Sequence, residues 1–326
     1  MGFGVPMATV GEMVGGLFDF GQGQPWRERL SAWWEGTEVA PEFDYITAEA
    51  PINESGDDEE EDSVDLGRVE EKMAAIQQIW GKGFEAPGTH EFAFELIHAL
   101  NLNKGQEVLQ TGAGLGGTAR ALAEEYFVSV TSLVNSIEVA RIAMAQTTEA
   151  GLDRKVRFAP FNPSQMGLRA GKYHCIFSRE ALFKVEDKEA FLDQAERALV
   201  PGGHLLLFDY TLPDEGEAHA DVGAWAAAEE ITPHMVPGKN FVEQLERRHF
   251  AVLTHEDVTD EYYRLILSGW AECLRTVKKM KILGDLNDQF IMDLLDEAEV
   301  WGRRASILKD GHIRYTRIHA MKSLTN

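Results

Sequence analysis

The amino-acid sequence predicts an α/β fold: a doubly wound, mostly parallel sheet with helical additions and an N-terminal extension. From about residue 66 onward, short apolar runs alternate with helical stretches of ten or more residues. A glycine-rich turn stands between the first of these strands and the helix after it, and the residues before 66 differ in composition from all that follow. Strands separated by helices of that length form βαβ crossovers, which set neighbouring strands parallel.

The extension, residues 1–50, is rich in Gly and aromatics. Within it Pro25 opens a short helix on which Trp26, Leu30, Trp33 and Trp34 form one apolar stripe. Three of the chain's seven tryptophans sit there. The stripe either packs on the main domain or docks a protein partner, because tryptophan clusters dominate interface hot spots. Residues 51–66 contain Asp57-Asp58-Glu59-Glu60-Glu61-Asp62. Charge of one sign at that density repels itself and buries nothing, so the segment reads as a disordered tether.

Residues 67–326 form the main domain. Helical patterns at 69–80 and 91–100 precede an apolar strand at 107–111, the glycine turn and a helix at 118–126. A strand at 127–134, a helix at 136–149 and strands at 155–159 and 173–178 come next, then a helix at 188–199. Pro201-Gly202-Gly203 turns the chain into a strand at 204–210. A helix at 239–248 and a strand at 250–254 precede two long helices, 258–281 and 285–304, and a last strand at 312–321. The long helices are expected to cover one side of the cleft, with Trp270 and Trp301 buried against the sheet, or to form a dimer surface.

Composition narrows the function. Lys+Arg is 31 against Asp+Glu 54, a formal net charge of −23. The densest basic runs, Lys278-Lys279 with Lys281 and Arg303-Arg304, are short, so binding to nucleic acid or an anionic membrane is disfavoured. The two cysteines, Cys175 and Cys273, read as reduced core thiols rather than a disulfide framework. No run approaches the length of a membrane span, and Met1–Pro6 lacks the basic start of a secretory signal, so the expected location is cytoplasmic.

The chemistry centres on Gly112-Ala113-Gly114-Leu115-Gly116-Gly117. In open α/β sheets ligands bind beyond the carboxyl ends of the strands, where glycines let backbone approach a cofactor closely. Nicotinamide dinucleotides, flavins and S-adenosylmethionine all use such a turn. No Gly-Lys-Ser/Thr phosphate loop, Gly-x-Ser-x-Gly elbow or zinc-ligand spacing accompanies it, and no metal is expected. A nicotinamide site also wants an acid about 20 residues past the turn, where Val134-Asn135 stand.

Later motifs point elsewhere. Ser178-Arg179-Glu180-Ala181-Leu182, Glu186-Asp187-Lys188, Leu199-Val200-Pro201-Gly202-Gly203-His204-Leu205 and Phe208-Asp209-Tyr210 resemble class I S-adenosylmethionine-dependent methyltransferases, which have a Rossmann-like sheet. Trp80-Gly81-Lys82-Gly83-Phe84 and Glu256-Asp257-Val258-Thr259-Asp260 are similar to the phosphoethanolamine methyltransferase type. The resemblance covers about residues 78–262.

It implies that Gly112, Gly114 and Gly116 pass under the methionine end of the cofactor. Active members carry an acid before the glycine turn, one at the end of the second strand for the ribose hydroxyls, and an aspartate after the third strand for the adenine amine. Here those positions are Gln110, Val134 (or Asn135 with a one-residue slip) and Asn162 after Phe161. Hydrogen bonds to charged groups contribute about 1.5–3 kcal/mol each, so losing two weakens binding by about a hundredfold to ten-thousandfold. The family's His and Tyr at the acceptor end fall on Lys184 and Phe241. Further polar candidates are His90, Glu91, Arg179, Glu180, Asp209, Tyr210 and His234, although Arg179–Glu180 also reads as a structural ion pair and Asp209 as a turn cap. Together the losses predict S-adenosylmethionine bound weakly or not at all, and a protein acting through its Trp26, Leu30, Trp33 and Trp34 face or as a homo-oligomer. The intact glycine turn predicts instead an active methyltransferase on a small-molecule or other acceptor.

Overall fold

A computed structural model of the chain describes residues 66–88, 97–98, 100, 102–163, 168–215, 218–284 and 287–324. The tryptophan helix at 26–34, the acidic tether, His90, Glu91 and most of the helix expected at 91–100 lie outside the described residues.

Helix α1 (Leu66–Trp80) turns Met73, Ala75, Ile76, Ile79 and Trp80 inward at helical spacing. The alternation follows: β1 (Glu107–Thr111), α2 (Gly117–Glu125), β2 (Ser129–Val134), α3 (Ile137–Glu149), β3 (Val156–Pro160), β4 (Tyr173–Arg179), a 3-10 turn (Leu182–Lys184), α4 (Lys188–Ala198) and β5 (Leu199–Thr211). Then come α5 (Ala220–Ala228), α6 (Gly238–Arg247), β6 (Phe250–Asp257), α7 (Thr259–Leu283), α8 (Asp288–Lys309) and β7 (Arg314–Lys322). Ser136 starts α3 by accepting from the amide of Val139, Asp187 starts α4 by accepting from Ala190, and Asn287 starts α8 by accepting from Phe290.

The seven strands lie in the order β3-β2-β1-β4-β5-β7-β6. β1 to β5 are parallel, and β7 runs antiparallel between β5 and β6. The chain winds outward from β1 through β2 to β3, then crosses to β4 on the other side, so the crevice of this doubly wound sheet opens above β1 and β4. Separate apolar layers cover the two faces: one holds α1, α2, α7 and α8, the other α4 and α6. No helix among the described residues is long and apolar enough to cross a membrane.

One expectation changes and another gains detail. Pro201-Gly202-Gly203 does not precede β5 but bulges within it: Leu199 already pairs with Tyr173, and His204 resumes with Cys175. Gly202, at φ 74, accommodates the bulge. Trp270 and Trp301 are buried in the apolar layer on one face of the sheet, and they also pack between helices. Their rings meet the ring of Trp80 edge-on, at 6.3 and 4.7 Å, which locks α1, α7 and α8 together. A side chain on Gly269 would strike Trp80, since its Cβ would lie 2.4 Å from that ring.

Candidate functional site

The glycine turn leaves β1 at Gly112, in the left-handed region at φ 66. A Cβ there would lie 1.9 Å from the carbonyl oxygen of Arg179, so only glycine lets the turn pass the end of β4. Gly114, at φ 48, is also closely approached: a Cβ there would lie 2.4 Å from the carboxyl of Glu85. The backbone that delivers Glu85 is pinned to the start of α2. The amide of Gly117 donates to the Gly83 carbonyl at 2.9 Å, and the Gly83 amide donates to Gln77 Oε1 at 2.7 Å.

Between the strand ends and these covering segments lies a cavity of about 430 Å³. Gln110, Gly112, Ala113, Gly114, Val134 and Asn135 line one side. Phe84, Glu85 and, from α8, Glu297, Trp301 and Arg304 line the other, with Arg179, Glu180, Phe183 and Lys184 at one end. Gln110 is only 2% exposed, and among the described residues no donor reaches its Oε1. A buried acceptor facing a cavity without a partner is costly unless a ligand supplies the donor.

The end wall is a fixed network. Glu180 stands in the left-handed region at φ 49, a conformation that costs a non-glycine residue energy. Its Oε1 accepts from Tyr262 at 2.9 Å and Tyr315 at 3.2 Å, whose rings stack at 3.7 Å, and lies 3.3 Å from Arg179 Nε. The ion-pair reading of Arg179–Glu180 therefore holds. Burial raises the hydroxyls of Tyr262 and Tyr315 well above the usual tyrosine range, with Glu180 acting in the same direction. Asp209 is the turn cap expected of it, accepting from the amides of Ala181, Leu182, Phe183 and Tyr210 at 2.6–3.2 Å. Burial nevertheless pushes its carboxyl up to about 7.

The remaining charges face the open space. Burial, reinforced by Glu297 and Glu180, raises Glu85 to about 7, against the pull of Lys184. Burial also raises Glu297. Lys184 is lowered, by burial first and then by Arg304, and its amine sits 5.1 Å over the Phe183 ring. Arg304 is bound to Glu229 at 2.7 Å.

Of the candidates read from sequence, Gly112, Gly114, Asn135 and Lys184 line the cavity. Gly116 does not: it begins α2, and a Cβ there would lie 2.7 Å from the Phe158 ring, so its smallness serves packing. Val134 packs with Ala113 and Ala140, which leaves Asn135 as the exposed polar residue at the end of β2. Asn162 is exposed and outside the lining, and Phe161 turns its ring to Phe191 at 6.5 Å instead of entering the cavity. His234 contributes backbone, its amide donating to the Phe183 carbonyl at 2.6 Å, while its ring is outside the lining. Phe241 is buried in the α4–α6 layer, away from the cavity. Sequence reasoning missed Glu85, Glu297 and Arg304, whereas the expected covering of the cleft by a long helix is met by α8, which brings Trp301 to the lining. The one available signal was an acid directly after the glycine-punctuated segment at 81–84.

Residues 93–294 match the family described as Mycolic acid cyclopropane synthetase. A phosphoethanolamine N-methyltransferase from Triticum aestivum is 27% identical over 71% of this chain and 44% of its own length. An O-methyltransferase from Pyrenophora dematioidea is 27% identical over 52% of this chain and 63% of its own length. The chain thus spans less than half the length of the plant relative. Among solved structures, phosphoethanolamine N-methyltransferase 2 of Haemonchus contortus, in complex with S-adenosyl-L-methionine, superposes with a TM-score of 0.67 at 19% identity, covering 77% of this chain and 56% of that one. A sarcosine dimethylglycine methyltransferase of Galdieria sulphuraria, so described provisionally, gives 0.62 at 15% identity, covering 78% and 99%. The fold is that of the class I methyltransferases.

Proposed function

The chain belongs to the mycolic acid cyclopropane synthetase family, and from that premise we propose that it is an S-adenosylmethionine-dependent methyltransferase acting on a small acceptor. The observation that carries the reading is the cavity of about 430 Å³ at the crossover point of the sheet, with Gln110 Oε1 buried and, among the described residues, unpartnered beside Gly112 and Gly114. Its size suits a cofactor-sized ligand. The residues fit this cofactor chemically. The lining at Gly112 and Gly114 is bare backbone against which the amino-acid end can lie, and among the described residues Gln110 Oε1 has no donor, which a ligand there would supply. The Asn135 amide offers both a donor and an acceptor to the ribose hydroxyls.

S-adenosylmethionine, when bound, supplies an electrophilic methyl group. The residues of this chain would orient it, exclude water and manage the acceptor's proton. Methyl transfer depends mainly on in-line positioning, and a base is needed only when the acceptor starts protonated. Lys184 is the side chain for that role, since an amine held below the usual lysine range is more readily neutral. Glu180 is unsuited to it, being committed to Tyr262, Tyr315 and Arg179.

Calorimetric titration with S-adenosylmethionine and S-adenosylhomocysteine tests the proposal. Micromolar binding is expected. No heat up to millimolar ligand would overturn it and favour a domain retained for its surface.

A further inference from the structure

Among the described residues, Glu85 is the carboxylate of the cleft left without a hydrogen-bond or ion-pair partner. Glu180 is held by two tyrosines and an arginine, and Glu297 is hydrogen-bonded to Trp301. Among the described residues Glu85 has neither a hydrogen bond nor an ion pair. Yet it is placed firmly. The Gly83–Gly117 and Gly83–Gln77 bonds hold its backbone over the glycine turn. Its Oε1 lies 2.4 Å, and its Cγ 2.9 Å, from where a Cβ of Gly114 would be. A carboxylate half-buried in a cleft is disfavoured unless a cation meets it.

We infer that Glu85 receives the ammonium group on the amino-acid end of the cofactor, supplying a carboxylate to a site where Gln110, not an acid, precedes the glycine turn. This inference rests on the methyltransferase reading above. The groups facing Glu85 agree with it. Glu297 from α8 and Glu180 beyond β4 add negative charge, and Lys184 opposes them. Arg179 and Arg304, which also line the cleft, are bound to Glu180 and Glu229. With its carboxyl raised to about 7, Glu85 is part-protonated in the free protein near neutrality, and an arriving cation displaces that proton. Such a site would read the end of the cofactor that does not react.

Three probes separate this role from others: S-adenosylmethionine and S-adenosylhomocysteine, which carry the amino-acid end, and 5′-methylthioadenosine, which lacks it. Glu85→Gln should weaken the first two by about ten- to hundredfold and leave the third unchanged, which also shows that the variant is folded. Glu85→Asp, which keeps the charge, should recover part of the loss. Wild type titrated at pH 7 in two buffers of different ionisation heat should release a proton that Glu85→Gln does not. Unchanged binding of all three probes, equal weakening of all three, or tighter binding by Glu85→Gln would each overturn the inference; the last would make Glu85 an occupant of the site. A wild type that binds none of the three would overturn the methyltransferase reading itself.

Discussion

The side of the cleft formed by the ends of β1 and β2 carries no charge: Gln110, Gly112, Val134 and Asn135 line it. The facing side, built from the 81–88 segment, the 182–184 turn and α8, carries Glu85, Lys184, Glu297 and Arg304. Close approach of backbone to a ligand can be arranged only where the strands end, by glycines with left-handed dihedrals. Charge can be delivered by any element that reaches over the cavity, because a carboxylate acts through space and needs only a fixed position. Acids counted at strand ends alone therefore understate what the site offers a cation.

The comparison breaks first, and hardest, at the shape-setting side. Gly112→Val places a side chain 1.9 Å from a backbone oxygen in a conformation β-branched residues avoid, and should cost more than about 3 kcal/mol in urea unfolding. A cost under about 1 kcal/mol would mean the turn is free to move. Asp209→Ala strips four buried amides of their acceptor and should cost about 3 kcal/mol by the same measurement.

On the charged side the sign reverses. The Glu85 carboxyl is raised from 4.5 in a free chain to about 7 in the folded one, so the folded state holds more protons between those values. Its effect is absent below about pH 4.5, and it lowers stability as pH rises toward 7. The ligand-free Glu85→Gln protein should therefore be more stable than wild type at pH 8, by the order of 2 kcal/mol, with the gap closing near pH 5. A pH-independent difference would show that Glu85 is not the titrating group. The smallest effect, and the one that sharpens the contrast, is at the uncharged rim. Asn135→Asp should tighten S-adenosylmethionine binding about tenfold, read by calorimetry, by giving the ribose hydroxyls a charged acceptor.

The corrected readings share a cause. Gly116 and Asn162 flank the right strands for the cofactor, yet Gly116 faces Phe158 and Asn162 lies outside the cavity lining. Adjacency in sequence placed them near the cleft, but the direction of a side chain depends on what packs behind it. The same holds for His234, whose backbone is used and whose ring lies outside the lining. Phe241 stands on a helix of the opposite layer, which no local pattern reveals.

The sequence by itself determined the parallel α/β sheet, the glycine turn after β1, the ion pair at Arg179–Glu180 and the cap at Asp209. The glycine turn and the Arg179–Glu180 pair arise from turn chemistry and adjacent residues, the sheet from the handed crossover that such a pattern forces, and the Asp209 cap from the pairing of β5 beside β4 that this sheet brings with it. Only the tertiary structure decided which charges enter the cleft. Glu85 and Glu297 come from opposite ends of the domain and meet because Trp80, Trp270 and Trp301 close α1, α7 and α8 over the sheet. That contact is a matter of side-chain volume and fit, which spacing along a chain does not encode.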